Sequence, residues 1–378
     1  MRIGIFTELY LPSIGGQEIR FAELAQVFRE RGHEVSVYCV ANLPEAPDRE
    51  TLNGIEVHRF PRDEDYRRPR SSVLPRSPKT ILRYATWVRR VLKAERFDLV
   101  LFNQWPLAHI AFAPRSVRQR AIVDWCEVRD SRFYRAMQRI LPRMSGQNMG
   151  VAPVVCERIA AASGRPVFYL PSGIHPSAYR GLPAQERRDI LYLGRINAHK
   201  NLPFLVDAFA RLKASDRAGA LHDDELVIAG DGPDMPDLRA HVAASPVAHQ
   251  IRILGSVSDQ QKVDLLSTAR LLAISSQREG FPRVVAEAMA SGLPAVTARF
   301  PENGTSGVVD HYGCGIVTEP DPDAFADGLI AATKQWEDLS RRGSARTGEL
   351  DWHALAEQIE SRVATETAKL KVQDSCAF

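Results

Sequence analysis

Short apolar runs alternate with amphipathic stretches along nearly the whole chain. Arg2-Ile3-Gly4-Ile5-Phe6 reads as a strand. Phe21, Leu24, Ala25 and Phe28 then recur at i, i+3, i+4 and i+7, which predicts a helix over residues 17–31. Gly32 closes it, and residues 33–40 return as a strand. The same cadence predicts strands over 55–60, 98–102, 121–124, 190–193, 226–229, 271–275, 295–297 and 315–317, with another opening at Ile251. Helices are predicted over 80–96, after Lys200 with Leu205, Ala208 and Phe209 inward, between Asp259 and the 271–275 strand, from Pro282 to Gly292, over 323–335 and over 352–370. Strand–helix–strand repetition implies an α/β fold with parallel sheets covered by helices.

The 378 residues are comfortable for two domains. The predicted crossing lies around Pro171-Ser172-Gly173-Ile174-His175, with a polar linker over 183–188, so the halves are expected over 1–173 and 186–350. No tandem repeat is visible.

Composition adds exclusions. Hydrophobic content is 44% and charged content 25%, ordinary for a globular protein. No apolar run approaches the ~20 residues that span a bilayer. The five cysteines are odd in number and scattered, which disfavours a disulfide framework or a zinc site. The first residues read as a strand and not as a signal peptide. These features predict a cytoplasmic protein, at the inner face of the membrane if it meets lipid. Net charge is only +3, yet residues 59–143 hold 20 Lys/Arg against 8 Asp/Glu, +12 locally, leaving −9 elsewhere. Such asymmetry suits an anionic acceptor or an anionic membrane; nucleic acid is not expected as a partner. The 80–96 helix carries Arg83, Arg89, Arg90 and Lys93, while Ile81, Tyr84, Val88, Val91 and Leu92 are expected to pack on a sheet.

The chemistry concentrates in residues 276–292, Ser-Gln-Arg-Glu-Gly-Phe-Pro-Arg-Val-Val-Ala-Glu-Ala-Met-Ala-Ser-Gly. Gly280 is expected to take an unusual backbone conformation, and Pro282 to open a helix with φ already set. Val284, Val285, Ala288 and Met289 give that helix an apolar face. Glu279 then stands in the loop at a strand's carboxyl end, and Glu287 in the helix one turn past Arg283. Backbone N–H groups at the helix start suit an anion, and a carboxylate accepts from two vicinal hydroxyls. Two carboxylates flanking an anion site suit a sugar nucleotide. Arg195 and Lys200 leave another strand end together and need an anion, Arg for bidentate phosphate contacts and Lys for a point charge. Gly15 and Gly16 occupy the first strand-to-helix turn, where doubly wound folds bind phosphates, but no G-x-G-x-x-G fingerprint is present. Asn103, Gln104, Asp124 and Glu127 stand at or just after strand ends, where open sheets place ligand groups.

Glu279, seven residues, then Glu287, with the intervening Gly280-Phe281-Pro282 and the following Ala-Met-Ala-Ser-Gly-Leu-Pro, resembles the E-x7-E motif of retaining glycosyltransferases of the family-4 type. Gly194-Arg195-Ile196-Asn197-Ala198-His199-Lys200 resembles that family's G-R-x4-K. The resemblance covers nearly the whole chain and is strongest over 190–317. It implies the GT-B fold, two Rossmann-like domains facing across a cleft, with the N-terminal domain for acceptor and the C-terminal one for nucleotide sugar. It further implies that the last helix crosses back to the N-terminal domain. Arg195 and Lys200 would grip the donor diphosphate, and Gly15 and Gly16 would lie near its phosphates and sugar. The loop carrying Gly255 and Val257 would back the base; Glu279, Gly280 and Phe281 would meet the sugar, and Glu287 the ribose or sugar hydroxyls. Arg195, Lys200 and Glu279 would be catalytic. The donor would be a UDP- or GDP-sugar, with no cofactor and no metal expected; the bare Asp63-Glu64-Asp65 and Asp321-Pro322-Asp323 strings are read as structural. The acceptor would be a hydroxyl of a small molecule, a glycan or a lipid-linked sugar, in glycolipid, polysaccharide or secondary-metabolite synthesis.

The chain departs from the family where a histidine is usual after the 121–124 strand: Trp125-Cys126-Glu127 stands there, and His109 lies too far upstream to replace it. Asn103, Gln104 and Glu127 are the candidate acceptor residues. A sugar-nucleotide epimerase of the same fold and a non-catalytic GT-B binding module are the alternatives.

Overall fold

The computed structural model describes residues 1–66 and 76–375, with side chains to residue 365. Residues 67–75 and 376–378 lie outside the described residues. The chain divides into two compact units, Met1–Ser172 with Trp352–Phe378, and Gly173–Asp351.

The first unit is built on an eight-stranded sheet. Its strands are β1 (Arg2–Phe6), β2 (Glu34–Ala41), β3 (Arg49–Leu52), β4 (Ile55–Arg62), β5 (Leu99–Asn103), β6 (Ile122–Trp125), β7 (Gln147–Gly150) and β8 (Phe168–Tyr169). The order is β3-β4-β2-β1-β5-β6-β7-β8, and every pairing is parallel except β3 with β4. Phe21, Leu24, Ala25 and Phe28 of helix Gly16–Glu30 are buried as their spacing requires. Trp352, Leu355, Ala356 and Ile359 of the last helix, Trp352–Ser375, enter the same apolar cluster. That helix runs past residue 370, since Lys371, Val372 and Gln373 include no helix breaker. Helix Pro78–Ala94 starts earlier than its periodicity suggested, because Ser77 accepts from Thr80 N and Pro78 suits the first turn. It buries Tyr84, Val88 and Leu92 and leaves Arg89, Arg90 and Lys93 exposed.

The second unit has a six-stranded, wholly parallel sheet of β9 (Arg188–Leu193), β10 (Leu226–Ala229), β11 (Ile251–Gly255), β12 (Ala269–Ile274), β14 (Ala295–Ala298) and β16 (Gly315–Thr318). The order is β11-β10-β9-β12-β14-β16. The short pair β13 (Arg278–Glu279) and β15 (Glu302–Asn303) stands apart. β10 and β14 are buried along their whole length, as befits strands covered on both faces. Sequence order reverses direction between neighbours β9 and β12, and a crevice opens outside the carboxyl ends of strands at such a switch point.

The fold is therefore α/β with two doubly wound, Rossmann-like units. No helix of the described residues is long and apolar enough to cross a membrane. Cys39, Cys126, Cys156 and Cys314 are all free and buried.

Candidate functional site

The chain leaves β9 at Leu193 and β12 at Ile274, side by side. Two hydrogen bonds join the loops that follow: Ser275 Oγ donates to the Lys200 carbonyl (2.7 Å) and Gln277 N to the His199 carbonyl (2.8 Å). This clamp brings Lys200 Nζ onto Glu279, with which it forms a half-buried ion pair. Arg195 is exposed beside the same strand end, its carbonyl held by the Tyr192 hydroxyl at 2.9 Å. The cations also act on His199, whose pKa is lowered by burial first and then by Lys200 and Arg278.

The Glu279 backbone is held by β13 pairing with β15. Gly280 does not take a positive φ. The constraint falls instead on Gly304, where a Cβ would run into the Gly280 carbonyl. A similar approach occurs at Gly230, with φ +144°, where a Cβ would strike the Gly194 carbonyl just ahead of Arg195. Glycines thus let the loops after β9, β10 and β12 lie backbone on backbone. Gly255 has φ +75°, and its carbonyl accepts from Gly230 N at 2.8 Å; Val257 follows in the partly exposed loop.

Pro282 caps helix Arg283–Ala290 without contributing a side-chain bond, and Gly292 (φ +64°) ends it, with Leu293 N donating to the Ala288 carbonyl at 2.8 Å. Its buried residues are Val285, Ala286, Glu287, Ala288 and Met289, so Val284 lies off the packed face and Glu287 lies on it. A buried carboxylate needs partners. Lys262 Nζ of helix Asp259–Thr268 stands 3.3 Å from Glu287 Oε1, and the Tyr179 hydroxyl faces the same carboxylate. Burial raises the Tyr179 pKa, and the Glu287 charge adds to the rise. Neither partner carried a motif: Lys262 reads as a surface helix residue, and Tyr179 lies in aperiodic chain.

Around these groups Asn197 Oδ1, Ser276 Oγ, Arg283 Nε and Thr305 Oγ1 are buried without hydrogen-bond partners. Buried polar atoms are rarely left so. Their clustering at the carboxyl ends of β9, β12 and β14 fits a polar ligand. Asp321 of the second bare Asp-x-Asp string caps helix Pro322–Lys334, accepting from Asp323 N and Ala324 N at 3.0 and 2.9 Å. Among the described residues no group of three or more His, Cys, Asp or Glu side chains could hold a metal ion.

The first unit has its own switch point between β1 and β5. Helix Gly16–Glu30 starts there, with Gly15 extended at its N-cap and open space where a Gly16 side chain would stand. Asn103 Nδ2 donates to Gln17 Oε1 (2.6 Å) and to Thr7 Oγ1 (3.3 Å), and its Oδ1 accepts from Trp105 N (2.7 Å). Gln104 Oε1 accepts from Cys126 N (3.0 Å) and Glu127 N (3.2 Å). Both side chains thus shape the loops around them. Glu127 pairs with Arg129 (2.7 Å), whose guanidinium lies over the rings of Trp105 and Tyr134 at 4.7 and 5.1 Å. Asp124 does not face outward: it is buried against Arg20 at 2.7 Å. Its pKa is raised because burial outweighs the Arg20 charge. His109 is fully buried between the rings of Phe102 and Tyr84, at 5.3 and 5.6 Å.

Comparison with known proteins agrees with this architecture. Residues 180–347 match the family Glycosyl transferases group 1, and residues 15–175 match the Glycosyl transferase 4-like domain. The chain is 26% identical to an uncharacterized glycosyltransferase of Methanocaldococcus jannaschii, over 89% of this chain and 90% of that one. It is 26% identical to the phosphatidyl-myo-inositol mannosyltransferase of Mycobacterium tuberculosis, over 98% of this chain and 100% of the other. HepE of Anabaena, solved in complex with UDP and glucose, superposes with a TM-score of 0.71 at 19% identity, covering 97% of this chain and 100% of that one. The fold is GT-B, and the chain is a glycosyltransferase.

Proposed function

We propose that this glycosyltransferase moves a sugar, with retention of anomeric configuration, from a nucleoside-diphosphate sugar to an acceptor hydroxyl. The observation that carries this reading is the Lys200–Glu279 pair, set beside exposed Arg195 at the β9–β12 switch point. A diphosphate arriving there meets two cations, and Glu279, relieved of Lys200, is left to accept from sugar hydroxyls. Glu287, held by Lys262 and Tyr179, is placed to accept from the ribose or sugar. Gly280 and Phe281 border the sugar, and the loop of Gly255 and Val257 backs the base. In the first unit, Glu127 is the acceptor-side carboxylate.

In the step itself the bond from the anomeric carbon to the diphosphate oxygen breaks. The acceptor oxygen bonds to that carbon on the face being vacated, and its proton passes to the departing phosphate. Arg195 and Lys200 stabilise the charge developing on the diphosphate, a role commonly worth ~10²–10³ in rate per donor group. The bound UDP in HepE supports a UDP-sugar, and a GDP-sugar is the other donor to try.

The test is to incubate the protein with UDP- and GDP-sugars and a panel of hydroxyl acceptors. Free nucleoside diphosphate is assayed first, then the anomeric coupling constant of the product by NMR. Release with an α-linked product from an α-linked donor is expected. An inverted product would refute retention, and isomerised donor without a glycoside would make the protein an epimerase.

A further inference from the structure

Helix Arg132–Ile140 leaves two large apolar side chains, Phe133 and Ile140, in water. Ser131 caps it, its side chain accepting from Tyr134 N at 3.5 Å. Toward its own unit it turns Tyr134, Gln138 and the half-buried Met137. Gln138 is buried and donates to the Arg129 carbonyl at 3.1 Å, and Tyr134 packs edge-on against Trp105 with centroids 5.4 Å apart. Placed around a helical wheel, the opposite side carries Phe133, Ala136 and Ile140. Phe133 is 61% exposed and Ile140 47%. A surface helix normally sends its apolar stripe to the core; here Phe133 and Ile140 are left in water.

The stripe is flanked by Arg132, Arg135 and Arg139, all exposed. None has an ion-pair partner among the described residues, and no acidic residue occurs between Asp130 and Glu157. Helix Pro78–Ala94 is also basic, but it buries Tyr84, Val88 and Leu92 within its unit and leaves one large apolar side chain, Leu82, exposed. Exposed apolar side chains rimmed by unpaired arginines suit a surface that is anionic outside and apolar beneath.

We propose that helix Arg132–Ile140 docks on an anionic lipid bilayer, with Phe133 and Ile140 entering the boundary between headgroups and acyl chains and the three arginines pairing with lipid phosphates. The helix follows β6 through the short loop that carries Glu127, so docking there would bring a lipid-borne acceptor to the acceptor-side carboxylate. That last consequence rests on the function proposed above; the docking itself is measured without turnover, so the two can fail separately.

The full chain is sedimented with vesicles of phosphatidylcholine alone or of phosphatidylcholine and phosphatidylglycerol in equal parts, at low and high salt. The protein should pellet only with the mixed vesicles and be released by salt. Phe133→Ser should lower the partition coefficient about tenfold, and Arg135→Ala with Arg139→Ala should lower it by at least as much. Arg90→Ala with Lys93→Ala should leave it near wild type. All these side chains are exposed, and unchanged melting would show that the variants fold. As a second readout, Phe133→Trp should shift its fluorescence to the blue with mixed vesicles only. Absence of pelleting by the wild type, pelleting of Phe133→Ser at the wild-type level, or a fluorescence shift equal in both vesicle types would overturn the proposal. So would self-association in solution that Phe133→Ser abolishes, which would make a second copy of the chain the occupant.

Discussion

Lys200 and Glu279, 79 residues apart in sequence, form an ion pair at the carboxyl ends of adjacent strands β9 and β12. Each is only about one-fifth exposed. Both groups are therefore partly shielded from water. If the donor's diphosphate takes over Lys200, the two become coupled through the ligand. Lys200→Ala and Arg195→Ala should each lower kcat/KM by ~10²–10³-fold with little change in melting temperature. Glu279→Gln should depress transfer while keeping most of the nucleoside diphosphate affinity. The double change Lys200→Ala, Glu279→Gln should cost less than the sum of the singles, since partners in contact do not add. Strict additivity in the kinetic cycle would show that the pair does not act as a unit.

Glu287 should govern the nucleotide. Glu287→Gln should weaken nucleoside diphosphate binding, and Tyr179→Phe should do so by up to about tenfold, the worth of a hydrogen bond that orients a charge. Because burial raises the Tyr179 pKa, its hydroxyl remains a donor across neutral and mildly alkaline pH. The effect of Tyr179→Phe should therefore be flat from about pH 6 to about pH 9. Isothermal titration of UDP and GDP at several pH values decides this, and wild-type affinity in Tyr179→Phe would remove the tyrosine from the site.

Arg20 and Asp124 form a buried pair, with Arg20 also donating to the Leu170 and Pro171 carbonyls at 2.9 and 2.5 Å. Removing one partner leaves the other charge uncompensated. Asp124→Leu or Arg20→Met should cost about 3–5 kcal/mol in urea denaturation. Replacing both together should cost less than either alone predicts. A single change that melts like wild type would mean the pair is not holding the segment before residue 172 in place.

His109 makes stability depend on acid. Burial lowers its pKa from 6.5 to about 3 in the folded protein. The unfolded chain therefore binds a proton that the folded chain refuses. Its contribution is fully present above pH 6.5 and is lost as pH falls from there toward about 3, at up to about 1.4 kcal/mol per pH unit. His109→Phe should reduce the slope of the urea midpoint against pH over that window by one proton's worth. An unchanged slope would show that other groups carry the acid sensitivity.

What the sequence determined by itself was the local part. Continuous apolar runs and period-3.6 patterns mark β1, β10, β12 and the helices between them, because strands buried on both faces must be continuously apolar and one-sided helices must repeat every three or four residues. Gly194-Arg195 with Lys200, and Glu279 with Glu287, stood out because the members of each motif lie close together in the chain. Strands β3, β7 and β8 were not legible. Gln147-Asn148-Met149-Gly150 looks polar and becomes a buried strand only because Asn148 accepts from Trp125 Nε1 and Ser145 Oγ, at 2.9 and 3.0 Å. Tertiary structure alone decided which polar groups meet. It turned Asp124 inward onto Arg20, joined Glu287 to Lys262 and Tyr179, and left Phe133 in water while burying Gln138. Those outcomes depend on contacts between residues far apart in sequence, and on whether burial finds each charge a partner. No local pattern carries that information.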